Sequence, residues 1–533
     1  MNTNLSSTAP SKLETDCLVV VVLDRSEDRS EKNQSDKDKP SPSVECADAA
    51  VRDAAKDVIA SGEVTAKLFE TTLLHRPAKL KAKRLLLLGG GKAKNFSTTE
   101  LRKLAGAALR TLKGKSIHNF ALVLPESAAP GSVNKDALPG SPTAENAPSD
   151  GISAPDAVRA IVEGAFIGDF DPGYYKSGKD KEKDHKIDTV TIVANADDKF
   201  SELEGALHTG RIIAESQNFT RDLVNEPSNL MTPTILAERA KKMASEVGLS
   251  CEVYGADKIR QLKMGAFWGV AQGSDEPPAL IVLRYDPPGA AKDVHLGLVG
   301  KGVTFDTGGI SIKPADGMEK MKYDMAGAAT MIGTMRAIAL LKPKVRVTAV
   351  VLATENMPSG KAQKPGDVQI AMSGKSIEII NTDAEGRLIL ADGLSYARQL
   401  GCTHLVDAAT LTGAIVVALG YVNAGIFAST DDMYERLAKA NQLAGEKMWR
   451  MPIDDEYKEL IKSNIADMVN AGSRYGGAIF AAMFLKEFAE DTPWIHLDIA
   501  GTAWMEDTKP WIAKGPSGIA LRSLVEFVRG WTG

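Results

Sequence analysis

Three short segments of the chain combine acidic and basic residues with glycines in patterns that suit catalysis or metal binding. They are VGKGVTFDTGG at 299–309 (followed by Lys313), MKYDMAG at 321–327 and NTDAEGRL at 381–388. In the third segment, Asp383 and Glu385 are two residues apart, so both point the same way if the segment is extended. Arg387 lies on that side too if the extension continues. Two such carboxylates repel each other unless a cation joins them.

The other two segments have ordinary structural alternatives when each is taken alone. Asp324 directly precedes the start of an apolar helix pattern, and Asp is a favoured N-cap residue. Lys301 follows a strand pattern and Asp306 precedes two glycines, which is typical of a glycine-rich turn with solvated charges. A phosphate-binding loop is excluded, because it requires Ser or Thr after the lysine and Gly302 stands there.

Taken together, the segments supply four carboxylates: Asp306, Asp324, Asp383 and Glu385. If they converge, their charge would be neutralised by two divalent ions, and oxygen ligands without histidine suit Mg or Mn, although Zn also accepts carboxylates. Two ions roughly 3.5–4 Å apart can share a hydroxide and stabilise a hydrolytic transition state. The sequence contains no HExxH or GxSxG motif, and its seven histidines are scattered, which favours structural or exposed positions for them.

Apolar runs alternate with helical patterns along the whole chain and predict an α/β fold. The runs are dense in Val, Ile and Leu, as in strands of a mostly parallel sheet that is covered on both faces. We expect strands at 17–23, 84–88, 120–124, 190–194, 279–284, 294–299, 346–353 and 403–408. We expect helices at 97–112, 325–341, 387–399 and 478–489. Ligands of such sheets bind at the carboxyl ends of the strands, where the three segments lie.

The length of 533 residues is too great for one ordinary core and indicates two domains. We place them at 1–204 and 205–533, with a linking helix over 205–224 that ends at Asn225-Glu226-Pro227. Two polar stretches, 24–43 and 127–154, are predicted to be exposed insertions in the first domain, and no function is assigned to the second of them.

Composition restricts the class of protein. The net charge of −5, from 64 basic and 69 acidic residues, argues against a protein that wraps nucleic acid. The four cysteines form no CxxC pair, which is typical of reduced thiols in the cytoplasm. The polar N-terminus lacks the layout of a signal peptide, and no apolar run approaches the roughly 18 residues of a membrane span. We therefore expect a cytoplasmic protein without a membrane partner.

The three segments closely resemble the signature segments of the leucyl (cytosol) aminopeptidases. The flanking segments RDLVN at 221–225, DAATLTG at 407–413 and HLDIAG at 496–501 are similar to further parts of that family's catalytic domain. The resemblance covers residues 205–533 and implies a metallo-exopeptidase that releases single amino acids such as leucine from peptides, through a hydroxide bridging two divalent metals. For residues 1–204 it implies a macro-like α/β domain.

The resemblance also implies roles for individual residues. One metal, Mn²⁺ or Zn²⁺, would be bound by Lys301, Asp306, Asp324 and Glu385, and the other by Asp306, Asp383 and Glu385. Lys313 would stabilise the oxyanion, and Arg387 would hold a bicarbonate ion as general base with help from the backbone of Leu411. Met321, Thr410 and Ala500 would line the side-chain pocket, which Ala503 would widen because some relatives have Met there. A homohexamer is implied as well.

Three alternatives compete with an aminopeptidase. A DNA-binding regulator is disfavoured by the net charge and by the lack of a recognition-helix motif. A non-catalytic scaffold would have lost ligands, whereas the full set from Lys301 to Arg387 is present. Another two-metal hydrolase, such as one acting on phosphate esters, would use the same chemistry.

Overall fold

Residues 1–26, 39–115, 117–126, 152–177, 186–195 and 198–531 are described by a computed structural model of the chain. Contacts divide the chain into an N-terminal unit, Met1–Glu215 with Asp507–Lys514, and a C-terminal unit, Ser216–Glu506 with Gly515–Gly533. The helix Phe200–Asn225 spans the division. The boundary predicted at 204/205 lies earlier in the same helix, and no pattern in the sequence indicated that 507–514 join the first unit.

The sheet of the N-terminal unit has seven strands. In spatial order, β1, β7, β6, β2, β5 and β4 lie side by side, β3 pairs with β2, and only β3 and β4 are antiparallel to their neighbours. The strands are β1 Asn2–Ser6, β2 Cys17–Asp24, β3 Pro42–Val44, β4 Thr71–His75, β5 Arg84–Lys92, β6 Asn119–Val123 and β7 Thr189–Val193.

The C-terminal unit contains a mixed sheet of eight strands. Their spatial order is β16, β15, β18, β14, β10, β11, β9 and β8, and the central strands β18, β14, β10 and β11 are parallel. The eight strands are β8 Ser250–Tyr254, β9 Ala279–Tyr285, β10 His295–Asp306, β11 Arg346–Asn356, β14 His404–Ala409, β15 Ala424–Ala428, β16 Met448–Arg450 and β18 Trp494–Asp498. Two smaller sheets join β12 Val368–Ile370, β13 Ser376–Glu378 and β17 Met468–Val469, and β19 Trp504–Met505 with β20 Gly515–Pro516.

Thirteen α-helices lie within the described residues. In the N-terminal unit these are α1 Ala49–Ala60, α2 Thr98–Lys113 and α3 Ala154–Asp169, followed by α4 Phe200–Asn225. The rest are α5 Pro233–Val247, α6 Ala256–Gln261, α7 Gly265–Ala271, α8 Ala326–Leu341, α9 Glu385–Gln399, α10 Gly413–Leu419, α11 Asp431–Ala444, α12 Gly477–Ala489 and α13 Leu521–Arg529.

Both large sheets are covered on their two faces, which explains the apolar runs in the sequence. Each unit contains two clusters of buried apolar side chains. All residues of β2 from Cys17 to Leu23 are inaccessible to solvent, as a strand between two helical layers requires. The eight predicted strands and four predicted helices are present, although β10 and β11 run on to Asp306 and Asn356.

The predicted insertions, the cysteines and the membrane-span prediction can each be compared with the described residues. Within the two predicted insertions, 24–43 and 127–154, residues 27–38 and 127–151 lie outside the described residues. Asp24 and Pro42, both within the first insertion, belong to strands β2 and β3. All four cysteines are free, in agreement with the sequence-based interpretation. Among the described residues, none of the helices has the length and apolar character of a membrane span.

A buried ion-pair cluster in the N-terminal unit provides a test of its packing. Glu163 is fully buried, and its two carboxylate oxygens each accept a hydrogen bond of 2.7 Å, one from Arg102 Nε and the other from Arg159 Nε. Removing this carboxylate leaves the guanidinium groups of the buried Arg102 and the half-buried Arg159 without their shared anion. We expect Glu163→Ala to lower the unfolding free energy of this unit by about 3–5 kcal/mol, measured by hydrogen exchange of β2 and β5 in urea.

Glu202→Ala is the matched control, because the Lys199–Glu202 pair is largely exposed. It should change the unfolding free energy by less than about 1 kcal/mol. Equal losses in the two variants would contradict the role assigned to the buried cluster.

Candidate metal and anion site

The long strand β10 carries the first two site residues to the middle of the C-terminal sheet. Its neighbours β11 and β14 are both parallel to it, so their carboxyl ends meet at one edge. Lys301 lies within β10 rather than at its end, and Asp306 is its last residue. Both are buried, at 3% and 2% exposure, so the interpretation as solvated charges of a turn is wrong.

Lys301 is surrounded by oxygen atoms. Its Nζ donates to Asp324 Oδ1 at 3.0 Å and to the carbonyl oxygen of Thr410 at 2.9 Å, and it lies 2.9 Å from Glu385 Oε1. Burial disfavours its charge, but the carboxylates of Asp324, Glu385 and Asp306 outweigh burial and raise the pKa of Lys301 above its usual value. The ammonium group therefore connects two of the candidate ligands.

Lys313 makes a second set of ion pairs on the more open side of the site. Its Nζ lies 2.9 Å from Asp306 Oδ2 and is also paired with Asp383. The Lys313 side chain is 21% exposed and that of Asp383 is 31% exposed. As with Lys301, the nearby carboxylates, led by Asp306, overcome the effect of burial and raise the pKa of Lys313.

Asp324 does not act as the N-cap that the sequence allowed. The cap of α8 is Met325, which makes no side-chain capping bond. The Asp324 carboxylate instead accepts hydrogen bonds from Lys301 and, at 2.7 Å, from the hydroxyl of Thr410. Burial is the main cause that raises the pKa of Asp324 well above its usual range. Its position is that of a candidate ligand rather than of a helix cap.

The segment NTDAEGRL is a turn followed by a helix, not one extended run. Asp383 lies in the turn, while Glu385 is the first residue of α9 and Arg387 is already helical. Arg387 therefore does not share an extended segment with Asp383, whereas the helix predicted from 387 is present and begins two residues earlier, at Glu385. A helical start still brings Glu385 to the cluster, because the buried first turn of α9 packs against Lys301: a Cβ at Gly386 would lie 2.8 Å from Lys301 Cε.

Three carboxylates form a compact group suited to a cation. One oxygen each from Asp306, Asp324 and Glu385 lies within 4.8 Å of the others, and all three residues are buried. Burial, followed by repulsion from Asp306, raises the pKa of Glu385, and the same two causes raise that of Asp383. A divalent ion would relieve this repulsion, so the oxygen-donor set fits the ions predicted from the sequence.

Arg387 has an unused hydrogen-bond donor beside the carboxylates. Its Nη1 donates to the carbonyl oxygen of Asn470 at 2.8 Å, and its guanidinium lies 5.4 Å from the ring centroid of Phe480. Its Nε is buried without a hydrogen-bond partner among the described residues. Burial lowers the pKa of Arg387 to about 10. A small anion would satisfy both the charge and the free Nε.

The residues predicted to contact substrate lie around the same edge of the sheet. Met321 is half-buried in the short helix Met318–Tyr323, and Ala500 is half-buried after β18. Thr410 contacts Asp324 and Lys301 directly. The backbone N–H of Leu411, predicted to help hold an anion, donates to Asp498 Oδ1 at 3.2 Å. Ala503 is 2% exposed and lies in an apolar core cluster.

Two asparagines that were not predicted from the sequence connect the segments of the site through hydrogen bonds. Asn356 Nδ2 donates to Asp306 Oδ1 at 2.8 Å and to the carbonyl oxygen of Thr382 at 3.1 Å. The buried side chain of Asn470 accepts from the N–H of Ile380 at 2.8 Å and donates to the carbonyl oxygen of Asn381 at 2.7 Å. Asn356 ends a strand beside the acidic segments, which is a signal that could have identified it; Asn470 follows a two-residue strand and gives none.

Two family profiles match the chain. The catalytic domain of the cytosol aminopeptidase family matches residues 218–525, and the N-terminal domain of that family matches residues 19–136. Two similar curated proteins are both described as a probable cytosol aminopeptidase. The one from Koribacter versatilis is 60% identical over 531 residues, and the one from Acidobacterium capsulatum is 52% identical over 533 residues; each match covers 100% of both chains.

Solved structures extend the comparison to the fold. A mutant of tomato leucine aminopeptidase has a TM-score of 0.81 and 32% identity, covering 99% of this chain and 96% of its own. A bottromycin maturation enzyme in complex with Mn has a TM-score of 0.79 and 30% identity, covering 97% and 100%. The two-domain α/β architecture is thus shared over nearly the whole length.

The close approach of α9 to β10 can be tested through Gly386. A methyl group there would meet Cε and Nζ of Lys301 at 2.8 and 2.9 Å, and the flexible end of the lysine would have to move. We expect Gly386→Ala to weaken Mn²⁺ binding about tenfold in titration calorimetry, with little change in Tm.

Gly205→Ala is the control, because a Cβ at that helical glycine meets nothing within 4 Å. Unchanged Mn²⁺ affinity in a folded Gly386→Ala protein would show that the position of Lys301 does not matter to the cation.

Proposed function

The chain belongs to the cytosol aminopeptidase family, and we propose that it removes single residues, leucine among them, from the N-termini of peptides at a site holding two divalent ions. Its membership makes it an aminopeptidase, a hydrolase of N-terminal peptide bonds. The observation that carries the finer proposal is the buried group of Asp306, Asp324 and Glu385 with Asp383 beside it. Four carboxylates with two lysines are suited to divalent cations of the Mn²⁺ or Zn²⁺ type.

Each ion has a ligand set within the described residues. Lys301, Asp306, Asp324 and Glu385 would hold one ion, and Asp306, Asp383 and Glu385 would hold the other. Such ions polarise a peptide carbonyl and lower the pKa of water, which is the chemistry that hydrolysis requires. Lys301 binds a metal only as a neutral amine, and the positive charge of a neighbouring ion lowers a lysine pKa in that direction.

The remaining polar residues have distinct tasks in this proposal. Lys313 is partly exposed at the open side of the carboxylates, where its ammonium group can stabilise the negative charge that develops on the scissile carbonyl oxygen. Arg387 would hold a bicarbonate ion on its free Nε, and that ion would accept a proton as general base. The N–H of Leu411 can assist only by sharing its bond to Asp498.

The substrate side chain is proposed to lie against Met321, Thr410, Leu411 and Ala500. Thr410 and Leu411 follow β14, and Ala500 lies after the end of β18. Met321 lies in the short helix Met318–Tyr323. Apolar pockets discriminate by only about 1–3 kcal/mol per methylene, so a broad preference for apolar N-terminal residues is expected.

We also propose a homohexamer that acts in the cytoplasm on peptides. Exposed apolar side chains on and just after α10 support self-association, since Val417 is 90% exposed and Tyr421 63%. The net charge of −5 gives no electrostatic reason to expect a nucleic-acid partner. Size-exclusion chromatography with light scattering would test the assembly.

The central test is hydrolysis of leucine anilide by metal-stripped protein after Mn²⁺ or Zn²⁺ is added back. We expect release that depends on the metal in the wild type and a loss of at least a thousandfold in Glu385→Ala, because this carboxylate is proposed to bridge both ions. No release with either metal, from folded protein that binds two ions, would overturn the proposed function.

The role of Arg387 can be tested separately with bicarbonate. We expect Arg387→Ala to lower kcat by about 10²–10⁴-fold, the usual contribution of general acid–base catalysis. Added bicarbonate should accelerate bicarbonate-depleted wild type but not the variant. Equal acceleration of both proteins would remove Arg387 from the proposed anion site.

A further inference from the structure

Two neighbouring strands end directly beside the carboxylate cluster. β14 and β18 are parallel, and Ala409 pairs with Asp498 at their carboxyl ends. The chain continues from β14 into Thr410, whose hydroxyl bonds to Asp324 at 2.7 Å, and from β18 into Ala500. The segments that follow these strands therefore lie at the edge of the cluster, and under the proposed function the substrate side chain occupies a crevice between them.

A single buried carboxylate connects these two segments. Asp498 is fully buried, and its Oδ1 accepts hydrogen bonds of 3.2 Å from the backbone N–H groups of both Leu411 and Ala500. Its Oδ2 accepts a bond of 2.6 Å from the hydroxyl of Thr412, which in turn accepts from the N–H of Ile415 and caps α10. Asp498 thus fixes the spacing between the residues after β14 and those after β18.

The segments that Asp498 connects carry two half-buried apolar residues. Leu411 and Ala500 are both half-buried and pack against the same apolar cluster. The next residue, Gly501, approaches the end of α10 so closely that a Cβ there would lie 2.4 Å from the carbonyl oxygen of Gly420. Both segments are thus anchored on α10, one through the cap at Thr412 and the other through Gly501. A change at Asp498 would release the backbone at Leu411 and Ala500 while these anchors remain.

We propose that Asp498 is a positioning residue that sets the width of the crevice between Leu411 and Ala500 and thereby the preference for the N-terminal side chain of the peptide. This inference rests on the proposed function, since it concerns the substrate of the same site. The hydrogen bonds of Asp498 come from Leu411, Thr412 and Ala500, so it acts through the backbone that it holds, while its negative charge also favours the charged form of Arg387.

The local charges keep this buried carboxylate in place. Burial raises the pKa of Asp498, while His496 and the bonds from Thr412, Ala500 and Leu411 act in the opposite direction. His496 is itself paired with Asp407 at 2.6 Å, and both residues are fully buried. Both oxygens of the carboxylate therefore have hydrogen-bond donors.

The test compares substrates rather than absolute rates. We would measure kcat/KM of the Mn²⁺-loaded enzyme for the anilides of leucine, alanine and phenylalanine in wild type, Asp498→Ala and Asp498→Asn. The ratio between two substrates does not depend on the fraction of active molecules, so partial misfolding leaves it unchanged. We expect the leucine-to-alanine ratio to fall about tenfold in Asp498→Ala, because a looser wall forfeits contacts with the larger side chain.

Asp498→Asn should also lower the leucine-to-alanine ratio of kcat/KM, but by less than Asp498→Ala. The amide oxygen can still accept bonds from the N–H groups of Leu411 and Ala500, whereas the charge-assisted bond from Thr412 is lost. This variant keeps the shape of the side chain and remains informative if Asp498→Ala does not fold. Its phenylalanine-to-leucine ratio should rise, as expected for a wider crevice.

Asp392→Asn is the matched control. Asp392 is equally buried and also accepts backbone hydrogen bonds, from Phe267 at 2.8 Å and Met372 at 2.7 Å, but it holds α7 rather than the crevice. It should destabilise the fold and leave the substrate ratios at the wild-type values. Ratios that shift as much in Asp392→Asn as at Asp498 would reduce the role of Asp498 to general stability and overturn the inference.

The remaining outcomes separate this inference from the proposed function. An active wild type whose leucine-to-alanine ratio is unchanged in both Asp498 variants, or is already close to one, overturns the inference alone. A folded, Mn²⁺-binding wild type that hydrolyses none of the anilides overturns the proposed function and the inference with it.

Discussion

Repulsion among buried carboxylates is the constraint on which the rest of the C-terminal unit depends. Asp306, Asp324 and Glu385 bring oxygens within 4.8 Å of one another at 5% exposure or less. Such a group is stable only with positive charge among its members, and Lys301 and Lys313 supply it on two sides. Each lysine bonds to carboxylates from different elements, so the charges also fix how β10, α8 and α9 meet.

Precise spacing around these charges comes from residues that carry no charge. Asn356 links Asp306 to the turn before α9, and Asn470 holds both the start of that turn and, through its carbonyl oxygen, Arg387. Gly386 lets α9 approach Lys301 more closely than any side chain would allow. These contacts pre-organise the charged residues, which is what a site for ions or for a developing charge requires.

The sequence predicted the elements of the fold and the charged members of the site, because both leave local patterns. Val-rich runs marked the strands, and the acidic spacing in NTDAEGRL marked Asp383 and Glu385. Local patterns failed where distant contacts decide the outcome: Asp324 resembles an N-cap until Thr410 and Lys301 are placed beside it. Asn470, Asp498 and the assignment of 507–514 to the N-terminal unit depend on partners far away in the chain, which no spacing rule could supply.

The two lysines of the site differ in depth, and this difference fits the separate roles proposed for them. Lys301 is 3% exposed and is held by Asp324, Glu385 and the carbonyl oxygen of Thr410, so its amine has one position and suits a fixed ligand. Lys313 follows a glycine turn and keeps 21% of its side chain exposed, so its ammonium group can leave Asp383 for an incoming oxygen. If the two environments were exchanged, the lysine proposed as metal ligand would be mobile. The lysine proposed to stabilise the oxyanion would be buried away from the substrate, and neither would serve the proposed hydrolysis. In the proposed hydrolysis, the depth of each lysine, more than its residue type, would therefore decide which one holds a metal and which one contacts the substrate.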